Sequence, residues 1–444
     1  MKHFFCPIVF FLSFFANPEL CAQNSENDLF TLERQWSIPD AIHRIEFYQP
    51  ETSTNLWYYS PFFVVQNDVV YFSSDRVESS RYPDNLLVID GSTGEISGMA
   101  DIDWAGYDHH ASYPSRFIGK DSSGNYYLAS FGMWQTSSAK ADIDFAIYPI
   151  VIADGKATVT ARYQIPLVKG SYIHNLDITG NIAEGEFSVA AIVWDYRYWD
   201  QVTDFRIMVW KKQNQTETVS GPEVYSINGK DATFGDIKIL SDNKIALHDR
   251  NYIIGGTDNP DPDCEFKRPT IYLLENGKLV KSSQIAATDS GLGAGMAFFN
   301  LGDRNMVVYN SGISPFRFCI AELESPDSFD NATEQFAITP YDAANPWVSD
   351  ESQKKCSYTP VYVEVPDDES GTANIYMCGY DGSGMAKYTL SVKDKPTTGI
   401  ENVGVGTTGR PEYYDISGRK LRAIPENGLY IKRVGTSVSK EYRR

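Results

Sequence analysis

Imidazole next to carboxylate is the first feature of this 444-residue chain that could do chemistry. Asp108-His109-His110, His174 and His248-Asp249 place groups that titrate near neutral pH in or beside long loops, where they could bind metal or move a proton. Their spacing fixes no reaction class, because there is neither an HExxH helix nor a GxSxG elbow. Asp258, Asp261, Asp263 and Glu265 offer Ca²⁺ the hard oxygens it prefers. They lack the glycine and final glutamate of an EF-hand, so a solvated acidic loop is expected and no cofactor is called for. No Gly-rich phosphate loop follows a strand and opens a helix, which leaves nucleotide chemistry unsupported. Cys264, Cys319, Cys356 and Cys378 lack CxxC or Cys/His ligand spacing, so a zinc site has little support, and one disulfide competes with free buried thiols.

Aromatic side chains form the second constellation. Trp57 and Tyr58, Trp104, Trp134, Tyr198 and Trp199, and Trp347 fall in long polar connections, accompanied by Asp108, His109 and His110, with His174 close by. Aromatic faces flanked by Asp, Asn and Arg suit sugar rings, whose C–H faces stack while hydroxyls take directional hydrogen bonds, and they suit peptides equally. The competing reading is that these rings fill gaps between packed sheets. An Asp near the end of a strand also recurs (Asp75, Asp195, Asp249 and Asp381, with Asn310 in the equivalent place). It reads either as a ring of carboxylates or, more simply, as a cap on the following loop.

The elements that must position these residues repeat. An apolar strand, a tight turn and a second apolar strand occur six times, with turns at Asn67, Gly124, Gly185, Asn243, Gly302 and Gly371, about 60 residues apart. Asn and Gly suit such turns because they tolerate positive φ. A third strand follows, and usually a fourth, as in Asn85-Leu-Leu-Val-Ile-Asp90, a Gly91 to Gly94 turn, and Glu95 to Ile102. Fourth strands end alike: Ala100-Asp-Ile, Tyr163-Gln-Ile, Tyr225-Ser-Ile, Ser283-Gln-Ile and Phe336-Ala-Ile. Four antiparallel strands per repeat describe a β-propeller blade, so the expected fold is all-β: a six-bladed β-propeller, with seven blades as the alternative and a two-domain β-sandwich as a third choice. The sixth unit lacks a fourth strand, and Phe30-Thr-Leu-Glu-Arg-Gln-Trp-Ser-Ile38 supplies one from the other end of the chain, closing the ring and hiding sheet edges. In this arrangement the long aromatic connections share one face.

The ends read as addresses. Lys2 and the apolar run from Phe4 to Phe15 form a signal peptide over residues 1–22, cleaved after Ala22; a lipidated Cys21 is the alternative, disfavoured by Leu20 before it. Residues 23–392 would be the propeller and 393–400 a linker. Residues 401–444 turn basic, with nine Lys or Arg against five Asp or Glu. Their Tyr413-Tyr-Asp-Ile-Ser-Gly-Arg-Lys-Leu-Arg422, Asn427-Gly-Leu-Tyr-Ile-Lys432 and Lys440-Glu-Tyr-Arg-Arg444 resemble the C-terminal sorting domain of proteins exported by the type IX system of Bacteroidetes. The resemblance implies outer-membrane secretion machinery as a partner of this tail. A basic hairpin packed on an acidic body is the plainer reading. The body resembles secreted Bacteroidetes propeller proteins of unassigned role, a likeness that carries no activity.

A net charge of −19 disfavours nucleic acid and anionic lipid, and 28 Tyr, 33 Gly and 22 Pro favour short strands and turns over helices. The expectation for function is a secreted or cell-surface, noncatalytic module that binds glycan or protein through its aromatic loops. The alternative is a carbohydrate-active enzyme, a glycoside hydrolase or lyase, using loop carboxylates with His109, His110 or His174.

Overall fold

A computed structural model describes residues 25–39, 62–73, 85–109, 117–130, 145–167, 171–195, 205–227, 235–249, 268–286, 294–313, 316–341, 360–366, 371–379, 384–393, 412–414, 419–421, 428–434 and 437–443. Every regular element among them is a strand. The chain divides into two compact units, Met1–Val392 and Lys393–Arg444.

The first unit is a β-propeller whose described strands fall into antiparallel runs, numbered here sheets 1 to 6, of which 1 and 2 join by parallel pairing into one nine-stranded sheet and 3 and 4 into one eight-stranded sheet. Sheet 1 runs Phe63–Gln66, Val69–Phe72, Asn85–Asp90 and Ile96–Asp103. Sheet 2 runs Phe117–Lys120, Tyr126–Ala129, Phe145–Ala153 and Lys156–Val159. Sheet 3 is Ser171–Asn181, Glu186–Asp195, Phe205–Lys212 and Ser220–Ile227, and sheet 4 is Gly235–Ser241, Lys244–Asp249, Thr270–Glu275 and Lys278–Gln284. Sheet 5 is Met296–Leu301, Arg304–Ile313, Phe316–Leu323 and Thr333–Ile338. Sheet 6 takes Val361–Glu364, Thr372–Cys378 and Gly384–Val392 from the end of the unit and Phe30–Pro39 from its beginning. The borrowed strand pairs from Phe30↔Val392 to Pro39↔Gly384. The N-terminal strand therefore closes the last sheet.

Local chemistry explains the turns. Asn67 and Asp68 both take positive φ, as a two-residue hairpin of this twist requires, and Asp154-Gly155 and Asn276-Gly277 do the same in third turns. Asn243 departs from this pattern and keeps ordinary φ; its carbonyl instead accepts the Leu274 N–H at 2.8 Å. Sheet 2 departs too, because its fourth strand is split into Lys156–Val159 and Tyr163–Ile165, both paired with Phe145–Ala153. Pro149 in the partner strand has no N–H, and its carbonyl takes the Thr160 N–H where the ladder breaks.

Each sheet packs its two apolar faces on its two neighbours. Trp36, Tyr376 and Met385 of sheet 6 meet Phe63, Val70 and Leu87 of sheet 1, while Phe30, Ile375 and Leu390 meet Met306, Phe318 and Phe336 of sheet 5. Ile192 and Val209 of sheet 3 meet Ile237 and Tyr272 of sheet 4, and Ala246 and Ile271 of sheet 4 meet Met296 and Val307 of sheet 5. Outer edges are covered as well: Ile96–Asp103 pairs in parallel with Lys156–Val159, Ser226 pairs with Lys278, Ser25–Glu26 lies along Phe30–Pro39, and the Asn27 amide donates to Gln335. Covered edges remove templates for aggregation.

The second unit is one antiparallel sheet ordered Lys420–Leu421, Glu412–Tyr414, Gly428–Val434, Ser437–Arg443. Tyr413 meets the buried Tyr430 edge-on at 5.9 Å, and Lys420 pairs with Glu412.

Candidate functional site

The first strand of every sheet is paired on one side only, so around the axis its other edge presents unpartnered backbone groups. Side chains from neighbouring sheets satisfy many of these groups. Asn175 of sheet 3 donates from Nδ2 to the Gly235 carbonyl of sheet 4 at 3.0 Å, and Asp177 accepts the Ile239 N–H at 2.7 Å. Asp236 of sheet 4 accepts the Met296 N–H of sheet 5 at 2.8 Å, and Asp121 of sheet 2 accepts the Ile182 N–H of sheet 3 at 2.8 Å. The hydroxyls of Tyr126 in sheet 2 and Tyr362 in sheet 6 both donate to the Val65 carbonyl of sheet 1, at 3.0 and 3.2 Å. Buried backbone groups left unmet cost about 1–3 kcal/mol each, so these ties stitch the inner ring together.

One part of this network holds charge. Asp236 is 1% exposed, and its carboxylate accepts from Met296 N, Ile237 N and Asn175 Nδ2 and pairs with Lys238 Nζ at 3.2 Å. Asp177 stands across from it on sheet 3. Burial pushes its pKa up to about 6 against the opposing pull of Lys238. Burial also works against the Lys238 ammonium, but Asp236 and Asp177 outweigh it and its pKa ends above the ordinary lysine range. Tyr127 of sheet 2 acts on Lys238 as well. Its ring reaches over the inner strand at Gly119, where an added Cβ would lie 2.3 Å from the Tyr127 hydroxyl, so a larger residue there requires the ring to shift.

Sequence reasoning missed this cluster. Asp177 and Asp236 stand one repeat apart inside the apolar first strands Ser171–Asn181 and Gly235–Ser241, and that period was the available signal.

The histidine and aromatic candidates separate. Trp104 is buried, at 7% exposure. Positive φ at Ala105 and Gly106 turns the chain back, so that His109 stacks on Trp104 at 4.6 Å and 5° while Tyr148 meets Trp104 edge-on at 5.2 Å. The Asp108 side chain is exposed, and its carbonyl accepts from the Tyr148 hydroxyl at 3.3 Å. His174 is buried on the inner strand of sheet 3, at the register shift between Ile173 and Asn175. His248 accepts the Gly295 N–H through Nδ1 at 3.3 Å, and burial lowers its pKa to about 4, so it is a neutral structural imidazole. Asn310 is buried, with its N–H on the Gly295 carbonyl.

Trp57, Tyr58, His110, Trp134, Tyr198, Trp199 and Trp347 lie outside the described residues, as do Asp75, Asp381 and the acidic run from Asp258 to Glu265. Among the described residues no cluster of His, Cys, Asp and Glu is arranged to hold a metal ion. Cys319 and Cys378 are buried and not in a disulfide, and burial raises the Cys319 thiol to about 11, which makes it inert; Cys264 and Cys356 lie outside the described residues.

No family model matches the sequence, and no curated protein is similar to it. Solved structures with a similar chain path include a putative 6-phosphogluconolactonase from Bacteroides fragilis NCTC 9343, at 12% identity over 76% of this chain and 83% of that one, with a TM-score of 0.36. The Dos1 propeller is 9% identical over 73% of this chain and 76% of its own, with a TM-score of 0.33. A GH43 β-1,3-galactosidase is 11% identical over 73% and 75%, with a TM-score of 0.34. Likeness this distant carries no activity, and the assignment of the first unit to the β-propeller fold rests on its own strand order and ring packing.

Proposed function

We propose that this chain is a noncatalytic, six-bladed binding module that acts outside the cytoplasm or at the cell surface, with glycan or protein as its ligand. The observation that carries the reading is how the axial carboxylates are spent. A glycosidase of the common kind needs two carboxyl groups with oxygens free to face the scissile bond. Among the described residues, the carboxylate that acts on Asp177 is Asp236, which is enclosed and committed to Met296, Ile237, Asn175 and Lys238 rather than facing a ligand as a second acid. The aromatic connections, Trp57, Tyr58, Trp134, Tyr198, Trp199 and Trp347 among them, supply the stacking surface in this reading. Export rests on the apolar run within residues 1–22, and the basic tail is the part that would meet outer-membrane secretion machinery of the Bacteroidetes type.

A glycoside hydrolase or lyase is the second reading, favoured by the raised pKa of Asp177, which suits a general acid. Titration of the mature chain with a panel of neutral and acidic oligosaccharides, with products followed by chromatography, separates the two. Binding with the sugars recovered intact is expected. Time-dependent cleavage at catalytic protein concentration would overturn the binding-module reading.

A further inference from the structure

Lys212, at the end of the third strand of sheet 3, is 5% exposed, and among the described residues its hydrogen bonds all go to backbone carbonyls. Nζ donates to the Asn214 carbonyl at 2.7 Å, to the Gln215 carbonyl at 3.3 Å and to the Glu217 carbonyl. An ammonium has three N–H donors, so three acceptors saturate it. The turn that supplies them is also held in shape by bonds that do not involve the lysine. Asn214 Oδ1 accepts from the Thr216 N–H at 3.0 Å, the Thr216 hydroxyl at 2.7 Å and the Glu217 N–H at 3.1 Å, while Asn214 Nδ2 donates to Glu217 Oε1 at 2.7 Å. The walls come from elsewhere. The Tyr163 ring of sheet 2 faces Nζ at 5.4 Å from its centroid, and the first turn of sheet 3 passes so close that a Cβ added at Gly185 would lie 3.1 Å from Lys212 Cε and 3.3 Å from Gln215 Cα. Tyr163 in turn packs on Phe187 of sheet 3 at 5.1 Å, and Trp210 Nε1 donates to the Pro166 carbonyl at 2.7 Å.

We propose that residues 213–217 form a receptor for one primary ammonium group, that Lys212 is its tethered occupant, and that this pairing is the latch that holds the outer hairpin of sheet 3 against the Tyr163 segment of sheet 2. The proposal stands apart from the binding-module reading. The donor set selects the class of occupant. Three neutral carbonyls bring no formal charge, and the Glu217 carboxylate is turned to Asn214, so a divalent cation would find none of the carboxylate oxygens that usually hold it. A bare monovalent metal ion gives up a hydration shell that three carbonyls replace only in part. A primary ammonium exchanges three bonds to water for three charge-assisted bonds to carbonyls, and the Tyr163 face adds cation–π attraction. A guanidinium spreads its five donors over a rigid plane and cannot aim three of them at acceptors gathered round one nitrogen.

The test is thermal unfolding of the full chain carrying Lys212→Ala, which loses three methylenes and the ammonium, with and without propylammonium, which supplies the same groups. Without additive the variant should melt about 5 °C or more below wild type, since three carbonyls lose their shared donor. Propylammonium should restore about half of that loss in a saturable way. Tetramethylammonium, which has no N–H, and potassium at equal ionic strength should restore none of it, and wild type should respond to none of the three. Lys212→Arg should melt as low as Lys212→Ala. Equal shifts from propylammonium and tetramethylammonium, or an alanine or arginine variant as stable as wild type, would overturn the proposal. Should the alanine variant fold too poorly to titrate, wild type decides by NMR: the Lys212 ammonium protons should exchange with water about tenfold more slowly than those of Lys211, and equal rates would overturn the latch.

Discussion

Trp104→Ala is expected to destabilise the protein by about 3 kcal/mol, the usual range for emptying a buried tryptophan site. The ring is enclosed between His109 and Tyr148, and its neighbours are anchored: the Tyr107 hydroxyl donates to the Thr160 carbonyl at 2.9 Å and Tyr148 holds the Asp108 carbonyl. Chemical unfolding measures this directly, and a loss under 1 kcal/mol would mean that the stack is not a packing unit. His248, buried, and Asp177, partly buried, set a pH dependence with opposite signs. His248 has a folded pKa near 4, below its ordinary value, so the unfolded chain binds the extra proton and stability falls as pH drops from about 6.5 to about 4. Asp177 has a folded pKa near 6, above its ordinary value, so the folded chain binds the extra proton and acidification through about 6 to 4 restores stability. The two offset each other in wild type. In Asp177→Asn the histidine contribution should be unmasked, so that stability falls more steeply from pH 6 to pH 4 than in wild type; parallel profiles would contradict these assignments.

At the scale of strands, what was legible in the sequence was what is local. Alternating apolar residues bracketing Asn67-Asp68 or Asp154-Gly155 define hairpins because the turn and its flanking strands adjoin in the chain. The closing strand was legible because Phe30 to Ile38 carries a fourth-strand pattern with no blade of its own. The split at Thr160 was not, since it depends on Pro149 lying opposite in register. The axial ties were hidden for the same reason: Asp236 reads as a polar residue in a short strand until sheets 3 and 5 are set beside it. Asp236→Ala should therefore cost about 3 kcal/mol or more, because it leaves the Met296 and Ile237 N–H groups, Asn175 and the Lys238 ammonium without their shared acceptor. A melting temperature within 1 °C of wild type would show that water replaces the carboxylate and that the ties are dispensable. Of the site residues proposed from sequence, Trp104 and His174 proved to be enclosed because residue type alone does not separate a stacking platform from a gap-filling ring.

For the whole molecule, the first and last strands of the propeller unit must meet for the axial ring of ties to exist. Trp36 on the N-terminal strand donates from Nε1 to the Gly91 carbonyl of sheet 1 at 2.8 Å, and an added Cβ at Gly94 would lie 2.7 Å from Ile38, so this strand is fitted against sheet 1 as well as paired within sheet 6. Tyr376 donates to Asp68 at 2.6 Å and Lys387 pairs with the same carboxylate, which ties sheet 6 to the first turn of sheet 1. Closure of this kind couples every sheet to the next, so opening the ring at one seam should loosen sheets on both sides of it. Deuterium exchange of the chain from residue 23 onward against the same chain lacking residues 23–40 measures that coupling. The closed-ring account predicts lost protection in Gly384–Val392, which loses its direct partner, and also in Val69–Phe72 of sheet 1 and Phe316–Leu323 of sheet 5. Protection lost from Gly384–Val392 alone, with sheets 1 and 5 unchanged, would contradict it.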